Sequence, residues 1–150
     1  MQNKRNVQKG QQGETIARQL LEAHGVKQVR RIETGWTVIR KGARIVSAFP
    51  KERVSADWRG VMPSISMLLR GKSVMAEAKE REDRLIYSDI EKYQHAELTE
   101  HQALGGLSFV IWVCPNVAAF LLPYPLLGFV PRSSITLESA RASSVRTIPL

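Results

Sequence analysis

Cysteine is nearly absent from this chain: Cys114 is the only one among 150 residues. One thiol cannot form a disulfide within the chain, nor can it supply the paired thiolates of a structural zinc site. Cys114 follows the apolar run 109–113, which predicts a buried, unreactive thiol rather than a nucleophile. The absence of a disulfide framework agrees with a reducing compartment, and we expect a cytoplasmic protein.

Long hydrophobic runs are also lacking. A membrane-spanning helix needs about 18 to 20 consecutive apolar residues. The longest candidate, 117–130, is interrupted by Pro123, Pro125 and Gly128. The basic residues at the start of the chain are not followed by the apolar core of a signal peptide. We therefore expect no membrane attachment.

Acidic residues are few compared with basic ones. The chain has 14 Asp and Glu against 22 Lys and Arg, a formal net charge of +8. Such an excess favours a polyanionic partner without saying which one. Hydrophobic residues make up 43% of the chain, which is enough to bury a core. We predict a single domain over 1–150, with residues 1–9 as a flexible basic tail.

The spacing of apolar residues predicts an α/β domain with a mixed central sheet. Ser88 followed three residues later by Glu91 has the pattern of a capping box that opens a helix. The predicted order is a helix over 11–24; strands over 26–34, 36–40, 43–49, 54–60 and 74–79; a mixed-charge loop over 80–84; a helix over 88–104; strands over 107–113 and 117–122; a short helix over 133–142; and a C-terminal loop.

The strands 36–40 and 43–49 form a predicted hairpin around Lys41-Gly42. Basic residues are frequent on it and on the strand before it. Basic side chains on an extended hairpin can follow the phosphates of a nucleic acid. The same charges also keep an exposed sheet edge soluble. The local sequence leaves both interpretations open.

Two neighbouring strands carry the residues with the strongest chemical interest. One contains Asp57 and the other ends in Glu77-Ala78-Lys79. Side chains alternate along a strand, so Glu77 and Lys79 share a face. Two carboxylates can bind a hard cation such as Mg²⁺, and a lysine beside it can orient an attacking water. Solvated carboxylates and a surface lysine are the alternative.

Two further polar residues have local explanations as well as functional ones. Glu14 lies in the first turn of the first predicted helix, where the helix dipole favours a negative charge. Gln94 lies near the buried stripe of the second helix, so it needs partners, either in a polar site or on the backbone. His24, His95 and His101 have no spacing typical of metal ligands, and we expect none of them to bind a metal.

Taken together, these residues resemble the PD-(D/E)XK nuclease superfamily, which has a helical glutamate, a strand aspartate and a Glu-X-Lys strand end. Here these are Glu14, Asp57, Glu77 and Lys79. Within the superfamily the chain is most similar to Holliday junction resolvases. Lys9-Gly10, Glu14 and the helix ending at Gly25 resemble the archaeal and viral enzymes. The following segments resemble the bacterial recombination protein U family in the same order: Asp57-Trp58-Arg59-Gly60-Val61, Glu77-Ala78-Lys79, Gln94 and the strand from Gly106 to Ile111, with Ser133 replacing a lysine before Ser134-Ile135.

The resemblance implies a restriction-endonuclease-like fold, with a mixed central β-sheet flanked by helices, and a Mg²⁺-dependent endonuclease in which Mn²⁺ can substitute. Asp57, Glu77 and the Ala78 carbonyl would bind the ion, and Glu14 would complete the acidic cluster directly or through water. Lys79 would orient the attacking water, and Gln94 would support the site. The protein would be bacterial or encoded by a phage.

The resemblance also implies a homodimer that resolves four-way DNA junctions by paired, symmetric nicks. The hairpin 36–53 would be the stalk that enters the junction. The apolar segment 120–130 is a candidate dimer contact, although packing in the core explains it equally well. A restriction-type or mismatch nuclease of the same superfamily and a non-catalytic basic DNA-binding protein are the alternatives. The predicted DNA-binding residues are Lys9, Arg30, Arg31, Arg40, Lys41, Arg44 and Arg59.

Overall fold

The structure is a computed structural model that describes residues 2–32, 36–50, 57–64 and 70–150. Side chains are not described for 2–11, 36–37 and 49–50. The helices are α1 (Gln2–Ala23), α2 (Lys92–Ala103) and α3 (Leu137–Ser143), with a 3₁₀ turn at Tyr87–Asp89. The strands are β1 (Lys27–Arg31), β2 (Trp36–Lys41), β3 (Arg44–Pro50), β4 (Trp58–Met62), β5 (Lys72–Glu80), β6 (Arg84–Ile86), β7 (Leu107–Cys114), β8 (Ala118–Tyr124), β9 (Ser134–Thr136) and β10 (Arg146–Pro149).

Six strands form one sheet in the order β1-β4-β5-β7-β8-β10. The pair β5–β7 is parallel and the other four pairs are antiparallel. A parallel pair needs a crossover connection, and α2 lies within the segment that joins β5 to β7. The predicted mixed central sheet flanked by helices is therefore confirmed.

The core is divided between the two faces of this sheet. On one face, Leu20 and Leu21 of α1 pack with Trp58. On the other face, Leu98 of α2 packs with Met75. Strand β7 is covered on both sides, as its continuous apolar run predicts. Cys114 ends β7 and is buried, and burial raises the pKa of its thiol.

Several element boundaries differ from the sequence prediction. The segment predicted as a short helix over 133–142 forms strand β9 before α3 begins at Leu137. Helix α1 begins at Gln2 rather than at residue 11, and its first nine residues carry little of the apolar stripe on which the prediction depended. The mobility expected of residues 1–9 stays a prediction. Helix α2 begins at Lys92, because the residues around Ser88 form the 3₁₀ turn. The C-terminal segment predicted to be a loop forms β10, which pairs with the buried strand β8.

The predicted hairpin is confirmed as the two-stranded sheet β2–β3, separate from the central sheet. Gly42 has a φ of 64°, which favours glycine in the tight turn. Residues 51–53 of the predicted stalk lie outside the described part of the chain. The role of the hairpin as a stalk stays a prediction.

The segment 120–130, proposed as a dimer contact, divides into two parts. Phe120, Leu121 and Leu122 are at most 1% exposed and pack inside the protomer, so they cannot contact a second copy. Leu127 and Val130 are exposed. In the described part of the chain, no helix is long and apolar enough to cross a bilayer.

Candidate active site

The candidate site lies where β4 begins and β5 ends. These strands are antiparallel, with Trp58 opposite Ala76. Extending this register by one residue places Asp57 opposite Glu77. The Ala78 backbone N–H donates a hydrogen bond to Asp57 Oδ2 at 3.2 Å. Two motifs that are 20 residues apart in the sequence therefore meet at one end of the sheet.

Glu77 is the centre of this site. Its side chain is only 2% exposed. Lys79 Nζ lies 3.0 Å from Glu77 Oε1, and Gln94 Nε2 donates to the same oxygen at 2.7 Å. Glu77 Oε2 is buried and has no hydrogen-bond partner within the described residues. One carboxylate oxygen is thus held by two donors, and the other is left for a further ligand.

The protonation of Glu77 reflects this environment. Burial, and then the negative charge of Asp57, raise the pKa of Glu77 to about 8, although Lys79 and the Gln94 amide partly oppose the shift. Burial disfavours the ionised carboxylate, and so does a second carboxylate nearby. Without a bound cation, Glu77 therefore carries a proton through most of the neutral range.

Gln94 is fixed at both ends of its amide. Its Oε1 accepts a hydrogen bond from the backbone N–H of Glu91 at 2.8 Å, at the start of α2. This contact orients the amide so that Nε2 faces Glu77. The sequence left a polar site and the backbone as alternative partners of Gln94, and the side chain contacts both.

These residues fit a divalent cation. Glu77 has one unpartnered oxygen within the described residues and is close enough to Asp57 for the charge of that carboxylate to raise its pKa. Mg²⁺ is commonly held by one or two carboxylates together with waters and substrate phosphates. No group of three or more His, Cys, Asp or Glu placed to hold a metal ion occurs among the described residues. Backbone, water or phosphate oxygens would have to complete the coordination.

Glu14 is not brought into this pair. Its carboxylate forms an ion pair with Arg31, and Arg31 lies opposite Trp58, whose side chain packs on the α1 face of the sheet. Glu77, which contacts Gln94 of α2, is on the other face. The structure does not place Glu14 as a direct ligand beside Asp57 and Glu77, and a role through water stays a prediction.

The predicted DNA-binding residues occupy different surfaces. Arg30 and Arg59 lie opposite each other on β1 and β4. Arg31 lies on the opposite face from them. The side chain of Lys9 is outside the described set. The hairpin residues are all exposed, namely Arg40, Lys41 and Arg44.

Sequence reasoning missed Arg81 and Asp89. Arg81 belongs to a segment predicted to be a solvated loop, yet its Nε donates to Asp89 Oδ1 at 2.9 Å. Asp89 Oδ2 accepts from the Ile86 N–H at 2.8 Å. The Arg81 carbonyl accepts from Trp112 Nε1 at 2.8 Å. The mixed charges of 80–84 were the available signal, but they did not identify a partner eight residues away.

Comparison with solved structures relates the fold of this chain to that of a known protein. The chain is similar to Hjc, a Holliday junction resolvase from the archaeal hyperthermophile Archaeoglobus fulgidus. The TM-score is 0.54, the sequence identity is 16%, and the match covers 88% of this chain and 94% of Hjc. The chain has a resolvase-like fold.

No protein-family model matches the sequence. A comparison with curated proteins gives no significant match. The similarity to Hjc therefore lies in the arrangement of helices and strands, and at 16% identity it shows the fold alone.

Proposed function

We propose that this protein is a Mg²⁺-dependent endonuclease that cleaves phosphodiester bonds in four-way DNA junctions. The observation that carries the proposal is the buried Glu77 carboxylate: its Oε2 has no partner within the described residues, its Oε1 is paired with Lys79, and its pKa is raised by the charge of Asp57. A buried carboxylate with a strongly raised pKa is a candidate functional group. Its position in a resolvase-like fold favours DNA as the substrate.

The side chains suit hydrolysis of a phosphodiester. Asp57 and Glu77 would hold the ion, which supplies Lewis-acid stabilisation of phosphate charge when it is bound. Lys79 is about one-fifth exposed, so its ammonium can reach substrate from its position on Glu77. There it would orient the attacking water and offset developing negative charge. Gln94 would keep Glu77 in place.

Assembly is part of the proposal. Symmetric nicking of a four-way junction needs two sites, which a homodimer would supply. Leu127 and Val130 are exposed apolar side chains in the segment that we proposed as the dimer contact. Paired nicks and the dimer are tested together by asking whether both opposing strands of one junction are cut.

The proposed function is tested by comparing cleavage of a synthetic four-way junction with cleavage of linear duplex of the same sequence. Mg²⁺, Mn²⁺ and EDTA are compared, and the products are mapped on denaturing gels. We expect metal-dependent nicks at opposing positions of the junction, with 5′-phosphate and 3′-hydroxyl ends, and little cutting of the duplex.

Three results separate the alternatives. Equal cutting of junction and duplex would point to a general nuclease of the same superfamily. Sequence-dependent cutting of duplex would point to a restriction-type enzyme. Junction binding without any metal-dependent cleavage would point to a non-catalytic DNA-binding protein.

A further inference from the structure

A strip of basic residues adjoins the candidate active site on one face of the central sheet. Arg59 of β4 lies opposite Met75 of β5, and Met75 packs in the cluster that contains Leu98 of α2. Arg59 therefore points to the α2 face, which also carries Glu77. Arg30 of β1 lies opposite Arg59, so it points to the same face.

The neighbouring residues on these strands point away from this strip. Trp58 and Val29 are buried in the cluster with α1, on the other face. Arg31 lies opposite Trp58 and forms its ion pair with Glu14 of α1. Two adjacent arginines, Arg30 and Arg31, are thus on opposite sides of one strand.

Among the described residues, the strip is positively charged and accessible to solvent. Arg30 is exposed and Arg59 is half-buried. Neither β1 nor β4 contains an acidic residue. Burial, and then the positive charge of Arg59, lower the pKa of His101 of α2. The positive charge of Arg59 therefore acts on His101 near the end of α2. Glu97 is an acidic residue on the same side of α2, between Gln94 and His101.

We propose that one DNA strand leaves the Asp57–Glu77 pair across β4 and then β1, with Arg59 and Arg30 as successive phosphate contacts. Strands lie about 4.8 Å apart, so the two arginines stand one and two strand spacings from β5. The distance from β5 to β1 is thus about 10 Å. Measured along the axis of a DNA duplex, where each nucleotide of one strand advances about 3.4 Å, this distance covers roughly three nucleotides. This inference rests on the proposed function and specifies how its substrate lies.

The first experiment measures binding of a fluorescent four-way junction in Ca²⁺ over a range of salt concentrations. Arg30→Gln and Arg59→Gln are compared with Arg146→Gln, which removes the same charge from an exposed position on β10, at the far edge of the sheet. Removal of one phosphate-binding side chain should reduce the slope of log K against log salt by about 0.9.

We expect Arg30→Gln and Arg59→Gln each to weaken binding roughly tenfold, as for a hydrogen bond to a charged group. Arg146→Gln should leave the slope unchanged. Equal effects of Arg30→Gln and Arg146→Gln on the slope would overturn the proposed path. Unchanged slopes for both Arg30→Gln and Arg59→Gln would also overturn it.

The second experiment tests the order of the two phosphate contacts. Single phosphates of the junction are replaced by neutral methylphosphonates, and the loss of affinity is measured for each modified junction. Neutralising the phosphate that contacts Arg59 should weaken binding of the wild type but not of Arg59→Gln. Neutralising a second phosphate, farther from the cleavage point, should weaken binding of the wild type but not of Arg30→Gln. Failure to find any such position would contradict the path.

These results are separable from the proposed function. If the wild type cleaves the junction but neither Arg30→Gln nor Arg59→Gln changes DNA binding, the nuclease function is supported and the proposed path is rejected. Salt-dependent binding through Arg30 and Arg59 without any cleavage would support the path and reject the nuclease. A wild type that binds no DNA would reject both.

Discussion

The carboxylate of Asp57 accepts a hydrogen bond from the Ala78 backbone N–H at 3.2 Å, across the β4–β5 pair. This contact places Asp57 beside the Glu77-Ala78-Lys79 segment. It also accounts for the charge of Asp57 acting on Glu77. The acidic pair is therefore built by the register of two strands rather than by a loop.

Asp57→Asn should abolish metal-dependent cleavage and keep the fold. Asparagine retains an oxygen that can accept from the Ala78 N–H, but it lacks the charge that attracts a cation. We expect the single-turnover cleavage rate to fall at least about 10³-fold. Junction affinity, measured in parallel at low salt, should be equal or slightly tighter. A variant that cuts near the wild-type rate would remove Asp57 from the mechanism.

The pH dependence of stability should report Glu77. Because the pKa of Glu77 is raised in the folded state to about 8, its contribution to stability is fully present below the unfolded pKa near 4.5. It is lost as pH rises through about 8. Glu77→Gln should therefore be more stable than the wild type above about pH 8 without metal. Thermal unfolding at about pH 5 and about pH 8.5 measures this, and equal differences between the two proteins at both pH values would contradict it.

Binding of Mg²⁺ should release a proton, because a coordinating carboxylate must be ionised. At neutral pH, below the pKa of about 8 for Glu77, we expect close to one proton released per ion bound. Calorimetry in two buffers of different ionisation enthalpy measures this number. Glu77→Gln serves as the control and should release none.

Gln94→Glu should move the pH profile of cleavage. The substitution preserves shape and the acceptor for the Glu91 N–H, but it replaces the donor to Glu77 Oε1 with a third carboxylate. The added negative charge should raise the pKa of Glu77 further, so the rate profile should shift to higher pH. Cleavage rates of the wild type and Gln94→Glu, measured from about pH 6 to 10, test this shift. If the two pH profiles coincide, Gln94 does not influence the protonation of Glu77.

Gly60→Ala should destabilise the fold. A Cβ at position 60 would lie 2.5 Å from Val26 Cγ1 and 3.0 Å from the Lys27 carbonyl oxygen. Overpacking of this kind costs about 1–3 kcal/mol. Gly13→Ala is the matched control, because its nearest contact would be 3.9 Å and alanine favours the α1 helix. Denaturant unfolding should show a loss of stability for the first variant and none for the second.

Asp89→Asn should lower the cleavage rate more than junction affinity. The pair of Arg81 and Asp89 links the end of β5 to the turn that precedes α2, and α2 carries Gln94. An exposed ion pair contributes about 1 kcal/mol or less to stability, so unfolding should change little. A small displacement of Gln94 from Glu77 can still cost about tenfold in rate. A parallel loss of affinity and rate would argue against this positioning role.

Much of the fold could be predicted because local patterns determined it. The continuous apolar run of β7 requires cover on both faces, and Gly42 permits the turn between β2 and β3. Asp57 and Glu77 could be placed together because adjacent antiparallel strands bring their ends into register.

The rest depended on interactions that the local sequence does not contain. Ser88 and Glu91 satisfy the capping-box pattern, yet Asp89 bonds to Ile86 and Arg81, and the helix begins later. Strand β10 forms by pairing with the outer edge of β8, a long-range contact that the local sequence does not show. The separation of Arg30 from Arg31 follows from strand pairing, which the charge pattern alone does not show.

The most direct test is a Mn²⁺ titration followed by amide NMR of the metal-free protein. If Asp57 and Glu77 hold the ion, substoichiometric Mn²⁺ should first broaden the amide resonances of residues 57 and 76–79, and Glu77→Gln should abolish this early broadening. Broadening that begins elsewhere, or that is the same in Glu77→Gln, would contradict the proposed metal centre.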